Sequence, residues 1–214
     1  SLGEYTAIAA SKKLSIKESV LTLKKRGELM NDSVEPNKTG MAALIGLNSN
    51  QVETIITENN IDLQIANDNS PIQVVVSGDI DEIDNKKNIF LENNIKKFIK
   101  LNVSAAFHSK YMLDAQTKLN KEIDNLKLKN NNIKIISNFN AQASNNDENI
   151  LKALKLQMAN RVRWTESIVN LSAKGETKII EIGPGKVLSG LIKRISDSFD
   201  ITSITKITDL DNNG

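Results

Sequence analysis

Three side chains in this sequence have the chemistry of a reaction centre. Ser1 opens the chain in Ser1-Leu2-Gly3-Glu4-Tyr5. This is the second half of G-x-S-x-G, the sharp strand-to-helix turn that lifts a serine hydroxyl to the end of a sheet. His108, in Ala105-Ala106-Phe107-His108-Ser109, is the only histidine. It is the one side chain whose ordinary pKa suits general-base work near neutrality. Serine is a poor nucleophile until a base within hydrogen-bond reach takes its proton, so Ser1 and His108 are read as a nucleophile–base pair. A lone histidine is also compatible with a purely structural place. The base further needs a group on its other ring nitrogen, and no acidic residue stands out for that task.

Arg26 is the third candidate. It lies on a helical stretch whose apolar residues are expected at Val20, Leu23, Gly27 and Met30. A guanidinium there either reaches back to water or is aimed at an anion, which its rigid fork grips bidentately when the anion is a carboxylate. Gly183-Pro184-Gly185-Lys186 lacks the spacing of a phosphate-binding loop and reads as a tight turn into a helix. Without cysteine, and with a single histidine, no metal constellation is expected.

These residues need a scaffold, and the composition supplies one. The chain has 214 residues, 39% of them hydrophobic and only 4% aromatic, so the core rests on Ile, Leu and Val. Basic and acidic residues balance at 28 and 26, and no basic stripe interleaved with aromatics suggests nucleic acid. No apolar run approaches the ~18 residues of a membrane helix. Absence of cysteine fits a reducing compartment. A cytoplasmic monomer, with neither nucleic acid nor membrane as partner, is expected.

Along the chain, Tyr5, Ile8, Ala9 and Ala10 suit a short helix, and Ser15 with Glu18 forms a capping box for a second. From Gly40 to Val103 the pattern is β-α-β-β-α-β, a ferredoxin-like unit. Asn67–Pro71 is expected as its central turn, and Ile95, Ile99, Leu101 and Val103 are expected on one face of its last strand. Helices are expected around Met112–Leu126, 148–159, 164–174 and Val187–Ile195, with strands at Ile133–Ser137, Thr177–Ile182 and Ile201–Ile207. This alternation predicts an α/β protein with a parallel-sheet large subdomain over 1–38 and 104–214. The ferredoxin-like βαββαβ small subdomain is inserted at 39–103. Only the tail after Thr208 reads as disordered.

Taken together, the motifs resemble the malonyl-CoA:acyl carrier protein transacylases of fatty acid synthesis. The matching stretches are Ser1–Tyr5, Arg26–Met30, Gly40–Gly46, Asn67–Val75, Ala106–Ser109, Gln157 upstream of Val162-Arg163-Trp164, and Glu181–Leu188, all in family order. The resemblance implies that the large subdomain is α/β-hydrolase-like and incomplete at its N-terminus. It also implies that Ser1 accepts the acyl group, His108 is the base, and the main-chain carbonyl of Gln157 orients it. By the same resemblance Arg26 grips the malonyl carboxylate, the N–H of Leu2 is an oxyanion donor, and Phe107 excludes a 2-methyl group. Asn69 is carried over as a substrate contact. Malonyl-CoA and acyl carrier protein are the implied partners, with no cofactor. Two departures are visible. The family's upstream Gly-Gln-Gly-Ser-Gln stretch and the Gly-His before the serine are missing, so the chain is expected to be truncated at the nucleophile. Arg161 stands where the family usually has proline. Alternative readings are an inactive fragment, an acyltransferase domain of a larger synthase, and an N-terminal-serine hydrolase that uses its own α-amino group as base.

Overall fold

In the computed structural model the described residues are 1–211. Two helices come first, α1 (Leu2–Ala10) and α2 (Ile16–Asn31). The capping box at the start of α2 is formed: Ser15 Oγ accepts from Glu18 N, and Glu18 accepts from Ser15 N. Its buried face differs from the expected one. Val20 is 57% exposed, and the residues turned inward are Ser19, Thr22, Arg26 and Met30. The i, i+3, i+7 rule selects a face only up to a rotation. Arg26 lies inward because it reaches Ser1 and Gln157, and Thr22 is satisfied within the helix by Glu18 O.

The next segment runs β1 (Thr39–Ile45), α3 (Ser49–Glu58), β2 (Leu63–Ser70), β3 (Gln73–Asp79), α4 (Ile80–Glu92) and β4 (Lys97–Lys100). These strands order as β4-β1-β3-β2 in one antiparallel sheet, the ferredoxin-like arrangement. The apolar run of β1 and the β-branched run of β3 pair from Thr39–Asp79 to Ile45–Gln73. One sheet face packs α3 and α4 around Leu44, Val52, Val74, Ile83 and Phe90. The other gathers Met41, Ala43, Ala66 and Val75 under Leu101, Val103 and Phe107.

Two local expectations are corrected. Asn67–Ser70 is strand, interrupted by register shifts at Ile65/Asn67 and Asp68/Ser70, and the turn is Pro71-Ile72. Asx-rich sequence favours turns, but here Asn67 and Asp68 pair with a further strand, β7 (Val162–Arg163), which joins this sheet in parallel. In the last strand, Ile95 belongs to the helix-covered cluster, while Ile99 pairs with Ala43 on the opposite face. Strand alternation holds only once the chain enters the ladder at Lys97.

The remaining elements are α5 (Leu113–Ile123), preceded by a single 3₁₀ turn, β5 (Ile135–Ile136), β6 (Ala143–Ser144), α6 (Asp147–Gln157), α7 (Trp164–Ala173), β8 (Lys178–Ile182), α8 (Val187–Ile195), β9 (Asp200–Ile204) and α9 (Thr208–Asp211). Helices α1, α2, α5 and α6 enclose a core of Tyr5, Ile8, Met30, Met112, Leu119, Ile123, Leu154 and Met158. β8 and β9 pair in parallel, and Ile168, Ile192 and Phe199 fill the space beneath α7 and α8. β8 is apolar on both faces, as a strand covered on both sides would be. Its Ile180 and Ile182 are 60% and 75% exposed. The parallel element outside the insert is thus the β8–β9 pair, and β5 pairs only with β6, antiparallel. Past Thr208 the chain forms a helical turn rather than the expected disordered tail; residues 212–214 lie outside the described residues.

Candidate active site

Ser1 is the N-cap residue of α1, so Leu2 takes the first helical position and its N–H has no intrahelical partner. The helix N-terminus carries partial positive charge toward whatever Ser1 holds. His108 comes from the loop after β4 and sits at φ +60°, a left-handed conformation unusual for a residue with a Cβ. That backbone turn buries the imidazole beside the start of α1.

His108 Nε2 lies 3.1 Å from Ser1 Oγ. On the other side, Nδ1 lies 3.1 Å from the main-chain oxygens of both Gln157 and Asn160. Both of these are acceptors only, so Nδ1 carries the hydrogen and Nε2 presents its lone pair to the serine hydroxyl. Burial pushes the His108 pKa down to about 3, and nearby positive charge, Arg26 included, acts in the same direction. The imidazole is therefore neutral at ordinary pH.

Arg26 reaches the same oxygen. Its Nη2 donates to Ser1 Oγ at 2.9 Å and to Gln157 Oε1 at 3.3 Å. The side chain is buried, not at the helix surface: Arg26 is 6% exposed, and its Nε has no partner. Burial lowers its pKa, though a guanidinium remains charged. Gln157, at the end of α6, contributes through its side chain too: Nε2 donates to Ser1 O at 3.1 Å and to Glu4 Oε2 at 2.7 Å. Ser1, Arg26, His108 and Gln157, separated by up to 156 positions in the chain, thus share one hydrogen-bond network.

Phe107 precedes the histidine and is half-buried between the helical core and the second sheet face. Asn69 sits on the irregular end of β2 and makes no side-chain hydrogen bond to these four residues. Arg161 lies 3.5 Å from Glu53 Oε2 of α3. A cleft of about 230 Å³ bordered by Gln64, His108, Asn160, Arg161 and Arg163 opens on the imidazole. A larger cavity of about 670 Å³, between residues 31–41 and 100–104, touches none of the four. The glycine turn before α8 faces a carboxylate of its own chain: Glu181 accepts from the N–H groups of Leu188 and Ser189 at 3.0 and 2.8 Å. The helix start is thereby occupied, consistent with a plain turn. Among the described residues no group of three or more His, Cys, Asp or Glu could hold a metal ion, and no helix is long and apolar enough to cross a membrane.

Sequence reasoning missed Glu4, Asn138 and Asn160. Glu4 is 5% exposed, and its Oε2 accepts from Asn138 N at 3.0 Å as well as from Gln157. Burial raises its pKa, and those two donors act against the rise. The available signal was positional: Glu4, Tyr5 and Ile8 follow Ser1 at i+3, i+4 and i+7, one face of α1, and all three are buried.

A mixed α/β fold of this topology, built around a serine at a helix start and an uncharged histidine, defines a class of serine–histidine α/β proteins. The chain belongs to the acyl transferase domain family, whose model matches residues 1–213. It is 41% identical over 199 residues to the malonyl CoA-acyl carrier protein transacylase of Bacillus subtilis (strain 168), covering 92% of this chain and 63% of that protein. It is also 41% identical over 210 residues to the polyketide biosynthesis protein PksE of the same organism, covering 96% of this chain and 27% of PksE. The crystal structure of an acyl carrier protein S-malonyltransferase from Vibrio cholerae superposes with a TM-score of 0.93 at 31% identity, covering 99% of this chain and 70% of that one. The chain thus spans less than two thirds of the length of the Bacillus subtilis transacylase.

Proposed function

We propose that this chain carries the acyl-transfer site of a malonyl-CoA:acyl carrier protein transacylase acting in fatty acid biosynthesis. The observation that carries the reading is one oxygen with two partners: Ser1 Oγ lies within hydrogen-bond distance of both a neutral His108 Nε2 and the Arg26 guanidinium. The names of the Bacillus subtilis and Vibrio cholerae relatives support the acyl group and the carrier protein. The division into a large unit (1–38 and 104–214) and a small unit (39–103) belongs to the same proposal. It is supported by the separate apolar clusters of the helices and of the four-stranded sheet.

In this mechanism Ser1 Oγ attacks the thioester carbonyl of malonyl-CoA while its proton passes to His108 Nε2. The tetrahedral oxyanion faces the free N–H of Leu2 at the start of α1. The C–S bond breaks and the CoA sulfur leaves with the proton from His108. The malonyl group remains on Ser1 as an ester. The phosphopantetheine thiol of the carrier protein then gives its proton to His108 and attacks that ester, and Ser1 Oγ recovers the proton as the C–O bond breaks. Throughout, the carbonyl of Gln157 holds the imidazole, and Arg26 turns from Ser1 Oγ to the malonyl carboxylate, which it can bind with two donors. The cleft at His108 admits the thiol. Asn69, on the irregular end of β2, is retained as a substrate contact.

The test is intact-protein mass spectrometry after mixing with malonyl-CoA. The chain should gain one malonyl group, lose it on addition of holo carrier protein, and gain none as Ser1→Ala. A chain that binds malonyl-CoA without gaining mass would mark it as an inactive fragment. A second reading, an acyltransferase domain of a larger synthase, is favoured by the PksE match, in which the chain covers 27% of the relative. The N-terminal-serine hydrolase reading leaves the His108 and Gln157 contacts without a use.

A further inference from the structure

Glu4 is a buried carboxylate that the mechanism above leaves idle. Its Oε2 takes a hydrogen bond from Gln157 Nε2 at 2.7 Å and another from Asn138 N at 3.0 Å, and its Oε1 has no partner. The consequence lies in the Gln157 amide. Its nitrogen is committed on one side to Glu4 Oε2 and Ser1 O, with Asn138 Oδ1 at 3.5 Å. Its oxygen is thereby turned to Arg26 Nη2. A flipped amide would set two oxygens together at Glu4 and two donors together at Arg26. Asn138 N–H donates to the same Glu4 Oε2 and so fixes that oxygen as an acceptor, and the Gln157 amide keeps one orientation against it. Among the described residues no carboxylate is ion-paired with Arg26. The nearest carboxyl side chain in the network, Glu4, stands one residue further off, behind Gln157.

We infer that Glu4 is a positioning residue for acyl-group selection: by fixing the Gln157 amide it sets the Arg26 guanidinium toward Ser1 while leaving the fork free for the carboxylate of the incoming acyl group. The inference rests on the malonyl-transfer reading. Direct pairing of an acid with Arg26 would compete with the substrate's carboxylate. An amide between the two holds the arginine through a neutral oxygen, which a carboxylate can displace. The same residue reaches the nucleophile by a second path, since Gln157 Nε2 also holds Ser1 O.

The test compares kcat/KM for malonyl-CoA with that for acetyl-CoA in the full natural polypeptide that carries this sequence. Because the readout is a ratio, it does not depend on the fraction of protein that is folded. Glu4→Leu removes the acceptor and should lower the malonyl-to-acetyl ratio about tenfold, the scale of one charge-assisted hydrogen bond. Glu4→Gln keeps an oxygen that accepts from Gln157 and Asn138 and should restore the ratio. Glu4→Asp draws the oxygen back by one methylene and should also lower the ratio, which covers the case in which the leucine variant fails to fold. An unchanged ratio in Glu4→Leu and Glu4→Asp, with both rates falling together, would reduce Glu4 to a structural role and overturn the inference. So would a glutamine variant as impaired as the leucine one. Arg26→Ala separates the two levels of the argument. If it leaves the ratio intact, the carboxylate reading of the site falls and the inference with it. If it collapses the ratio while the Glu4 variants do not, only the inference falls.

Discussion

Gln157 presents its main-chain oxygen to His108 Nδ1 at 3.1 Å, so a peptide carbonyl does the orienting that a carboxylate performs in a Ser-His-Asp triad. A carbonyl fixes the tautomer without adding a negative charge. Burial outweighs the upward pull of the Gln157 and Asn160 carbonyls, and the neutral form is favoured far below the usual histidine range.

The first prediction concerns pH. The folded value of about 3 lies below the unfolded value of about 6.5. As pH falls, the unfolded chain takes up the proton first. Stability from keeping His108 neutral is complete above about pH 6.5 and is lost progressively as pH falls toward 3. Denaturant titrations across this window should show wild type losing stability at up to about 1.36 kcal/mol per pH unit more steeply than His108→Gln. Equal slopes would contradict the buried neutral imidazole. In kinetics, the acid limb of kcat/KM should fall well below the ordinary histidine range.

Arg26→Ala should reduce malonyl transfer far more than acetyl transfer. A charge-assisted bidentate contact is worth roughly 1.5–3 kcal/mol, about ten- to a hundredfold in rate. Single-turnover acylation of Ser1 with each thioester measures it directly. Equal losses for the two acyl groups would remove the arginine from substrate recognition.

Lys13 should be a stability determinant remote from the chemistry. It is 0% exposed, and its Nζ donates to the oxygens of Asn131 and Asn145, with Asp147 Oδ1 at 3.6 Å. Replacing it with Met leaves two loop carbonyls and a carboxylate without their cation. The Asp147 side chain is 38% exposed, so the loss should fall below the roughly 3–5 kcal/mol of breaking a fully buried ion pair, and thermal unfolding of Lys13→Met should shift down measurably. A shift within error would show that water replaces the ammonium.

Phe107→Ala should widen acyl choice. The ring precedes the histidine and packs against two apolar clusters, and the family resemblance assigns it the exclusion of a 2-methyl group. Transfer from methylmalonyl-CoA relative to malonyl-CoA should rise. The variant should also lose stability, by less than the roughly 3–5 kcal/mol of a fully buried Phe→Ala change. Competition between the two thioesters in one reaction reads the selectivity, and an unchanged product ratio would count against a gating ring.

Legibility followed the range of the interaction that each feature depends on. Ser15 and Glu18 cap α2 as a four-residue pattern implies, and β3 was legible because its β-branched run Val74-Val75-Val76 fits a pleated, half-buried surface. Asn67–Ser70 misled, since its local turn preference yields to ladder bonds with β3 and β7. The inward face of α2 was misread for a related reason. Hydrophobicity cannot identify a buried side made of Ser19, Thr22 and Arg26: Thr22 Oγ1 is satisfied within its own helix by Glu18 O, and Arg26 finds Ser1 and Gln157 on other elements.

What the amino-acid order determined unaided was the chemistry on offer: a serine at a helix start, one histidine, and an arginine on an amphipathic stretch. Side-chain identity and local backbone preference are properties of a few neighbouring residues. Tertiary structure alone decided that Ser1 Oγ meets both Arg26 and His108, that carbonyls of Gln157 and Asn160 set the tautomer, and that Glu4 stands behind the amide of Gln157. These contacts join residues up to 153 positions apart. Hydrogen-bond direction and burial exist only once the packed helices have excluded water from between them.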